Sequence, residues 1–162
     1  MFIGLLSDTH GTFDTPLHSF FADVDQIWHS GDFGGIEVAD AIAAFKPLTG
    51  VYGNCDNHKV RIVYPLIQCF EIEQTKVLML HIGGYPGHYE SQALRLIATH
   101  RPNLFVCGHS HILKVIPDNK HNLLHINPGA AGNQGIHIFR TAIRFQINSG
   151  KVSDLEVWEQ PR

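Results

Sequence analysis

The sequence predicts an α/β fold in which two packed mixed β-sheets are flanked by helices, an α/β/β/α sandwich. Three observations lead there. Apolar runs bounded by Gly or Pro alternate with segments of helical period through the first two thirds of the chain. Past Gly108 the strands follow one another through short turns. Finally, 162 residues with 44% hydrophobic and 17% charged side chains describe a globular chain of one-domain size. Residues 1–162 are therefore expected to form one domain, without internal repeats or linkers.

Phe2-Ile3-Gly4-Leu5-Leu6 is a first buried strand; it is too short for a signal peptide and lacks the basic flank. Pro16 to Ala22 reads as a short helix and Gln26 to His29 as a strand. Ile36, Ala39 and Ala43 recur at helical spacing, so a helix should run to about Phe45, followed by a strand from Leu48 to Tyr52. Gln68 to Ile72 and Lys76 to Leu80, parted by Glu73-Gln74-Thr75, look like a hairpin. Gly83 to His88 is expected to be a loop, Tyr89 to Thr99 a helix, and Leu104 to Cys107 a buried strand. Ile112 to Ile116, Asn122 to Ile126, Ala142 to Asn148 and Lys151 to Trp158 are short strands, the last two joined by a tight Ser149-Gly150 turn.

A net charge of −3 with no Lys/Arg run weighs against a nucleic-acid binder held by phosphate electrostatics, but is compatible with a small phosphorylated substrate. No apolar run approaches the roughly 20 residues of a membrane span. Three cysteines, Cys55, Cys69 and Cys107, are an odd number that suits a reducing, cytoplasmic compartment. Association into a homo-oligomer is left open. Histidine is over-represented at 12 residues, so spacing rather than abundance must identify the functional ones.

Spacing does so in five islands, each expected where a strand gives way to a loop: Asp8-Thr9-His10, Gly31-Asp32, Gly53-Asn54-Cys55-Asp56, a lone His81, and Gly108-His109-Ser110-His111. Carboxylate, amide and imidazole donors suit divalent cations of the Mn, Fe or Zn type rather than Ca or a thiolate cluster. Loops leaving parallel strands gather on one edge of such folds, so distant islands would converge. Asp8 and His10, two apart on an extended segment, are expected to point to one side, and Gly108 to give His109 and His111 a sharp backbone path. His18, His100, His121, His125 and His137 have no recruiting spacing and are read as surface or core residues; His29 is read as a hydrogen-bonded residue at a strand end.

From Phe2 to about Ala130 the five islands, in this order, resemble the signature of the calcineurin-like metallophosphoesterase superfamily. The lack of an inserted cap resembles its small phosphodiesterase branch, which includes the relative that became the retromer scaffold subunit. The resemblance implies two divalent metal ions, Mn²⁺ foremost with Fe, Zn or Ni as alternatives. It places Asp8, His10 and His111 on one ion, Asn54, His81 and His109 on the other, and Asp32 between them. It implies a phosphoric ester hydrolase, a phosphodiesterase before a monoesterase, working by in-line attack of a metal-bridging hydroxide. The competing expectation is a non-catalytic interaction scaffold on the same fold; the intact ligand set favours catalysis.

The chain departs from the pattern at Cys55, where many members carry a histidine that protonates the leaving group. Cys55 or His58 is the candidate for that side of the reaction, and a thiol is the weaker donor at neutral pH. Asp56 is expected behind the ligands, orienting one of them or holding its own turn. Tyr85 and His88, with Asn54, are the candidates for substrate contact, and the Asn127-Pro128-Gly129-Ala130 turn resembles a family loop that passes near the metals.

Overall fold

A computed structural model describes all 162 residues. In chain order the elements are β1 (Phe2–Leu6), α1 (Thr15–Phe20), β2 (Gln26–His29), α2 (Ile36–Phe45), β3 (Leu48–Gly50), α3 (His58–Val63), β4 (Ile67–Ile72), β5 (Thr75–Leu80), β6 (Gly84–Tyr85), β7 (His88–Tyr89), α4 (Ser91–His100), β8 (Leu104–Val106), β9 (Leu113–Asp118), β10 (Leu123–Pro128), β11 (Phe139–Asn148) and β12 (Lys151–Pro161). One five-stranded sheet has the order β12-β11-β1-β2-β3 and the other β4-β5-β8-β10-β9. Within each, three consecutive neighbours run parallel, β1-β2-β3 and β5-β8-β10, while the remaining strands pair antiparallel.

The sheets face each other across a core of side chains that alternate inward along the strands. Ile3, Leu5, Trp28, Ile143 and Phe145 of the first sheet meet Val77, Met79, Val106 and Ile126 of the second. Trp28 stands edge-on to both Phe70 and Phe145, with ring centroids 5.3 and 5.9 Å away. On the outer face of the first sheet, Leu17, Phe21, Ala39 and Ile42 of the α1 and α2 region cover Leu6 and Ile27. On the outer face of the second, Ala93 and Ile97 of α4 cover Leu78 and Phe105. The layers are thus α/β/β/α, as the alternation of periods predicts.

Three local departures have physical reasons. The first helix ends at Phe20 rather than Ala22. Helix α3 is not announced by any apolar period because only Val60 is buried; it forms because the Asn57 side chain accepts the backbone N–H groups of Lys59 and Val60. The stretch expected as a loop after Gly83 holds the β6–β7 hairpin, in which Tyr85 pairs with His88 across Pro86-Gly87. Pro pre-sets the first turn position and Gly87 takes φ 86° at the second, as a type II turn requires. The Ser149-Gly150 turn forms as expected, both residues at positive φ.

Candidate metal centre

Each island leaves the carboxyl end of a parallel strand: Asp8 and His10 follow β1, Asp32 follows β2, Asn54 follows β3, His81 follows β5, and His109 and His111 follow β8. The first four side chains therefore come from one sheet and the last three from the other. Asp8, Asp32 and His81 are buried, His10 and His111 partly so, and Asn54 and His109 exposed. All seven surround the edge where the carboxyl ends of both sheets meet.

Two carboxylates form the middle of the cluster, and each divides its oxygens the same way. Asp8 Oδ2 accepts from Ser7 Oγ at 2.6 Å and from the His109 backbone N–H at 3.0 Å. Asp8 Oδ1 has no hydrogen-bonded partner although it is buried, and lies 3.1, 3.9 and 3.9 Å from the Nε2 atoms of His111, His10 and His81. Asp32 Oδ1 accepts the Cys55 backbone N–H at 2.8 Å, whereas Oδ2 lies 3.2 Å from His81 Nε2 and 3.9 Å from His10 Nε2. One oxygen of each residue fixes it to the protein and the other faces imidazole nitrogens.

The imidazoles are oriented to match. His81 Nδ1 donates to the Ser30 carbonyl at 2.7 Å, which leaves the Nε2 lone pair directed at the carboxylates, buried and without a protein partner. His137 Nε2 lies 3.1 Å from the Gly132 carbonyl and donates to it, so His137 Nδ1 accepts from Nδ1–H of His111, 3.1 Å away. His111 Nε2 then also presents a lone pair to the cluster. A metal-bound histidine needs this tautomer. The ring of His109 lies edge-on to that of His81, with centroids 5.3 Å apart.

Charge follows geometry. Burial alone would raise the Asp8 carboxyl, but the facing imidazoles of His111 and His81 hold it below the usual range. Burial opposes ionisation of Asp32 too, yet His81 and the Cys55 N–H hold it well below the usual range. Burial would lower His81, and Asp32 and Asp8 raise it instead. Burial, then the Asp32 charge, pushes the Cys55 thiol up. His29, fully buried, is pushed down to about 3 by desolvation; it accepts from the Gly31 N–H and bonds the Thr9 hydroxyl, so it is a neutral brace beneath the cluster.

Buried Asp8 Oδ1 and His81 Nε2, unpaired and aimed at each other's neighbours, would each cost free energy if left so. Cations resolve both, and mixed carboxylate and imidazole donors fit first-row divalent ions. Two donor groups stand close enough for ions: Asp8, His10 and His111, and Asp8, Asp32 and His81. Asp8 belongs to both groups. Asn54 and His109 sit further out, in the wall of a cleft of about 290 Å³ shared with His10, Asp32, Cys55, His111, Gln134 and Gly135.

Asp56 does not touch an imidazole. Its carboxylate accepts the backbone N–H groups of Asp32, Gly53 and Gly34 at 2.9, 2.8 and 3.2 Å, so it fixes the Asp32 loop through the main chain. His58 opens α3, and Tyr85 and His88 stand on the β6–β7 hairpin; none of the three lines the cleft. Asn127 donates to the Gly108 carbonyl at 2.8 Å and to Ser110 Oγ at 3.1 Å, tying the 127–130 turn to the last island.

The segments bearing the ligands are not extended. Asp8, His10, Asp32, His109 and His111 all have positive φ, between 43° and 67°. The left-handed region is uncommon for non-Gly residues and gathers at functional sites. The sharp path through the last island is thus taken by its two histidines rather than by Gly108, whose φ is ordinary. Gly31 and Gly53 serve close approach instead. A Cβ on Gly31 would meet the His81 ring at 2.5 Å, and one on Gly53 would strike the Asp32 carboxylate. Sequence reading missed His137, which is remote from every island and acts through His111.

Residues 1–150 match the family model described as the calcineurin-like phosphoesterase superfamily domain. A probable metallophosphoesterase of Methanothermobacter thermautotrophicus is 29% identical over 138 residues, 80% of this chain and 77% of the relative. Among solved structures, one described as a novel archaeal phosphodiesterase aligns over 98% of this chain and 100% of its own, with TM-score 0.74 and 20% identity. Entamoeba histolytica Vps29 complexed with zinc aligns over 99% of both chains, with TM-score 0.73 and 15% identity. The family match over residues 1–150, nearly the whole chain, leads to one placement: this chain belongs to the calcineurin-like phosphoesterase superfamily.

Proposed function

We propose that this protein is a phosphodiesterase dependent on two divalent cations, with Mn²⁺ the first candidate and Fe, Zn or Ni the others. The observation that carries the reading is the paired carboxylates, each anchored by one oxygen and offering the other to histidine nitrogens. Asp8, His10 and His111 would hold one ion, and Asn54, His81 and His109 the other, with Asp32 between them. When bound, such ions acidify water and neutralise phosphoryl oxygens.

The chain's own residues do the rest. Ser30 and His137 fix the tautomers of His81 and His111, and Asp56 and the Cys55 N–H fix Asp32. The cleft beside them carries no lysine or arginine. A diester with a single negative charge suits it better than a monoester dianion, whose second charge would find no further cation. Cys55 stands in the same wall with its thiol held protonated. As a proton source for a departing oxygen a thiol is weak, which favours substrates whose leaving group needs little protonation. Three free cysteines support a reducing compartment, and no helix is long and apolar enough to cross a membrane.

The similarity to Vps29 keeps a scaffold reading in view. Assay of the purified protein with bis(4-nitrophenyl) phosphate and Mn²⁺, beside Asp32→Asn, separates the two. Turnover that the variant loses by at least 100-fold supports the enzyme, since Asn cannot offset the same cation charge. Equal rates in both overturn it.

A further inference from the structure

A second cavity of about 290 Å³ adjoins the metal cleft: it shares Asn54 with it and is also lined by His81 of the donor cluster. Unlike the cleft, it has an apolar side, where Leu66 and Ile82 stand 40% and 39% exposed. Tyr52, Arg61 and the exposed Gln92 also line it.

Arg61 is held flat. Its Nε donates to the Asp56 carbonyl at 2.7 Å, and Nη2 donates to the carbonyls of Asn54 and Gly53 at 3.0 and 3.5 Å. The guanidinium lies over the Tyr52 ring, 4.8 Å from its centroid. Arg140 and Arg144 pair with Asp14 and Glu156, but Arg61 pairs with no carboxylate. It is a solvent-exposed cation on a locked plane, beside a ligand of the metal centre. Guanidinium planes stack on aromatic rings and favour anionic ligands, and little entropy is lost when the plane is already fixed.

We infer that this groove is the subsite for a planar ring, an aryl group or a nucleobase, carried as an ester substituent by the phosphodiester at the metal centre. The inference rests on the proposed activity at that centre. Leu66 and Ile82 cover the ring, Arg61 meets its face and the nearby negative charge, and the Gln92 amide reaches a heteroatom on its edge. Continuity through Asn54 lets one molecule occupy both cavities. The groove supplies what the metal cleft lacks, a positive charge and apolar surface.

The test is a ¹H–¹⁵N NMR titration of the zinc-loaded protein with diphenyl phosphate, adenosine 5′-methyl phosphate and dimethyl phosphate, in the wild type and in Leu66→Ala/Ile82→Ala. Both substituted side chains are partly exposed, so the fold tolerates the change, and the spectrum verifies it. The ring-bearing esters are expected to shift the amides of Leu66, Ile82 and Gln92, and dimethyl phosphate is not. The double variant should weaken the ring-bearing esters roughly ten-fold, the scale of a few lost methylene contacts. A larger effect on the adenosine ester identifies a nucleobase, and a larger effect on the diphenyl ester an aryl group. Absence of shifts at Leu66, Ile82 and Gln92, or equal affinity in both proteins, overturns the subsite. Binding here without hydrolysis of bis(4-nitrophenyl) phosphate would overturn the enzyme reading and leave the subsite standing.

Discussion

His111 Nδ1 lies 3.1 Å from His137 Nδ1, and His137 in turn is tied through Nε2 to the Gly132 carbonyl. The chain of two hydrogen bonds ends at His111 Nε2, 3.1 Å from the unpaired oxygen of Asp8. A residue outside every motif therefore decides which nitrogen His111 presents.

Replacing His137 with Phe removes the acceptor and frees His111 to take the wrong tautomer. Cation affinity, measured by competition with a chromophoric chelator, should fall roughly 10–100-fold, the usual cost of losing such a partner. His137→Gln, whose amide oxygen accepts, should recover much of it. Unchanged affinity in His137→Phe would make the contact incidental.

Cation binding should stabilise the protein by relieving the unpaired buried atoms Asp8 Oδ1 and His81 Nε2. At a hundred-fold excess of Mn²⁺ over its Kd the gain is about 2.7 kcal/mol. Differential scanning fluorimetry should show a rise in Tm that chelation reverses. Asp8→Asn should lose the greater part of that rise, because it touches both donor groups.

Acid should destabilise the fold through His125. Its ring is buried against Phe105 and Tyr89 with both nitrogens unpaired. Desolvation, then the Lys114 charge, push it down to about 4, although Asp118 acts the other way. The unfolded chain binds this proton near 6.5 and the folded one only near 4, so stability is complete above pH 6.5 and falls as the pH drops toward 4. The loss is on the order of 3 kcal/mol. His29 acts with the same sign. Urea titrations should show a shallower slope across this window for His125→Phe than for the wild type.

Cys55→His should raise the rate on diesters with poor alkyl leaving groups by roughly 10²-fold or more and change bis-aryl substrates little. Steady-state kinetics on a leaving-group series reads the slope directly. An unaltered slope would place proton donation elsewhere.

The two-sheet sandwich was legible because hydrophobic period changes with element type, and the positions of β1, β2 and α2 follow from runs such as Phe2–Leu6 and Gln26–His29. The convergence of the islands was legible because loops after parallel strands share an edge. Their conformations were not. Nothing in Asp8-Thr9-His10 announces left-handed backbone at both ends, since it is imposed by tertiary bonds such as Asp8 N to the Gly31 carbonyl and His10 N to the Asp32 carbonyl. Helix α3 escaped detection because a side-chain cap, not a period, starts it. His137 and Arg61 were invisible because each acts on a neighbour distant in sequence or through backbone carbonyls.

Four of the seven donors hang from one sheet and three from the other, across a core of residues such as Met79 and Phe145. A cation pair seated there would be a rivet through both halves of the sandwich, and the spacing between the halves would set how well it fits. Interior packing far from any ion thereby becomes a dial for metal preference. Trimming Met79 or Phe145 should alter which ion the protein retains before it alters whether the chain folds.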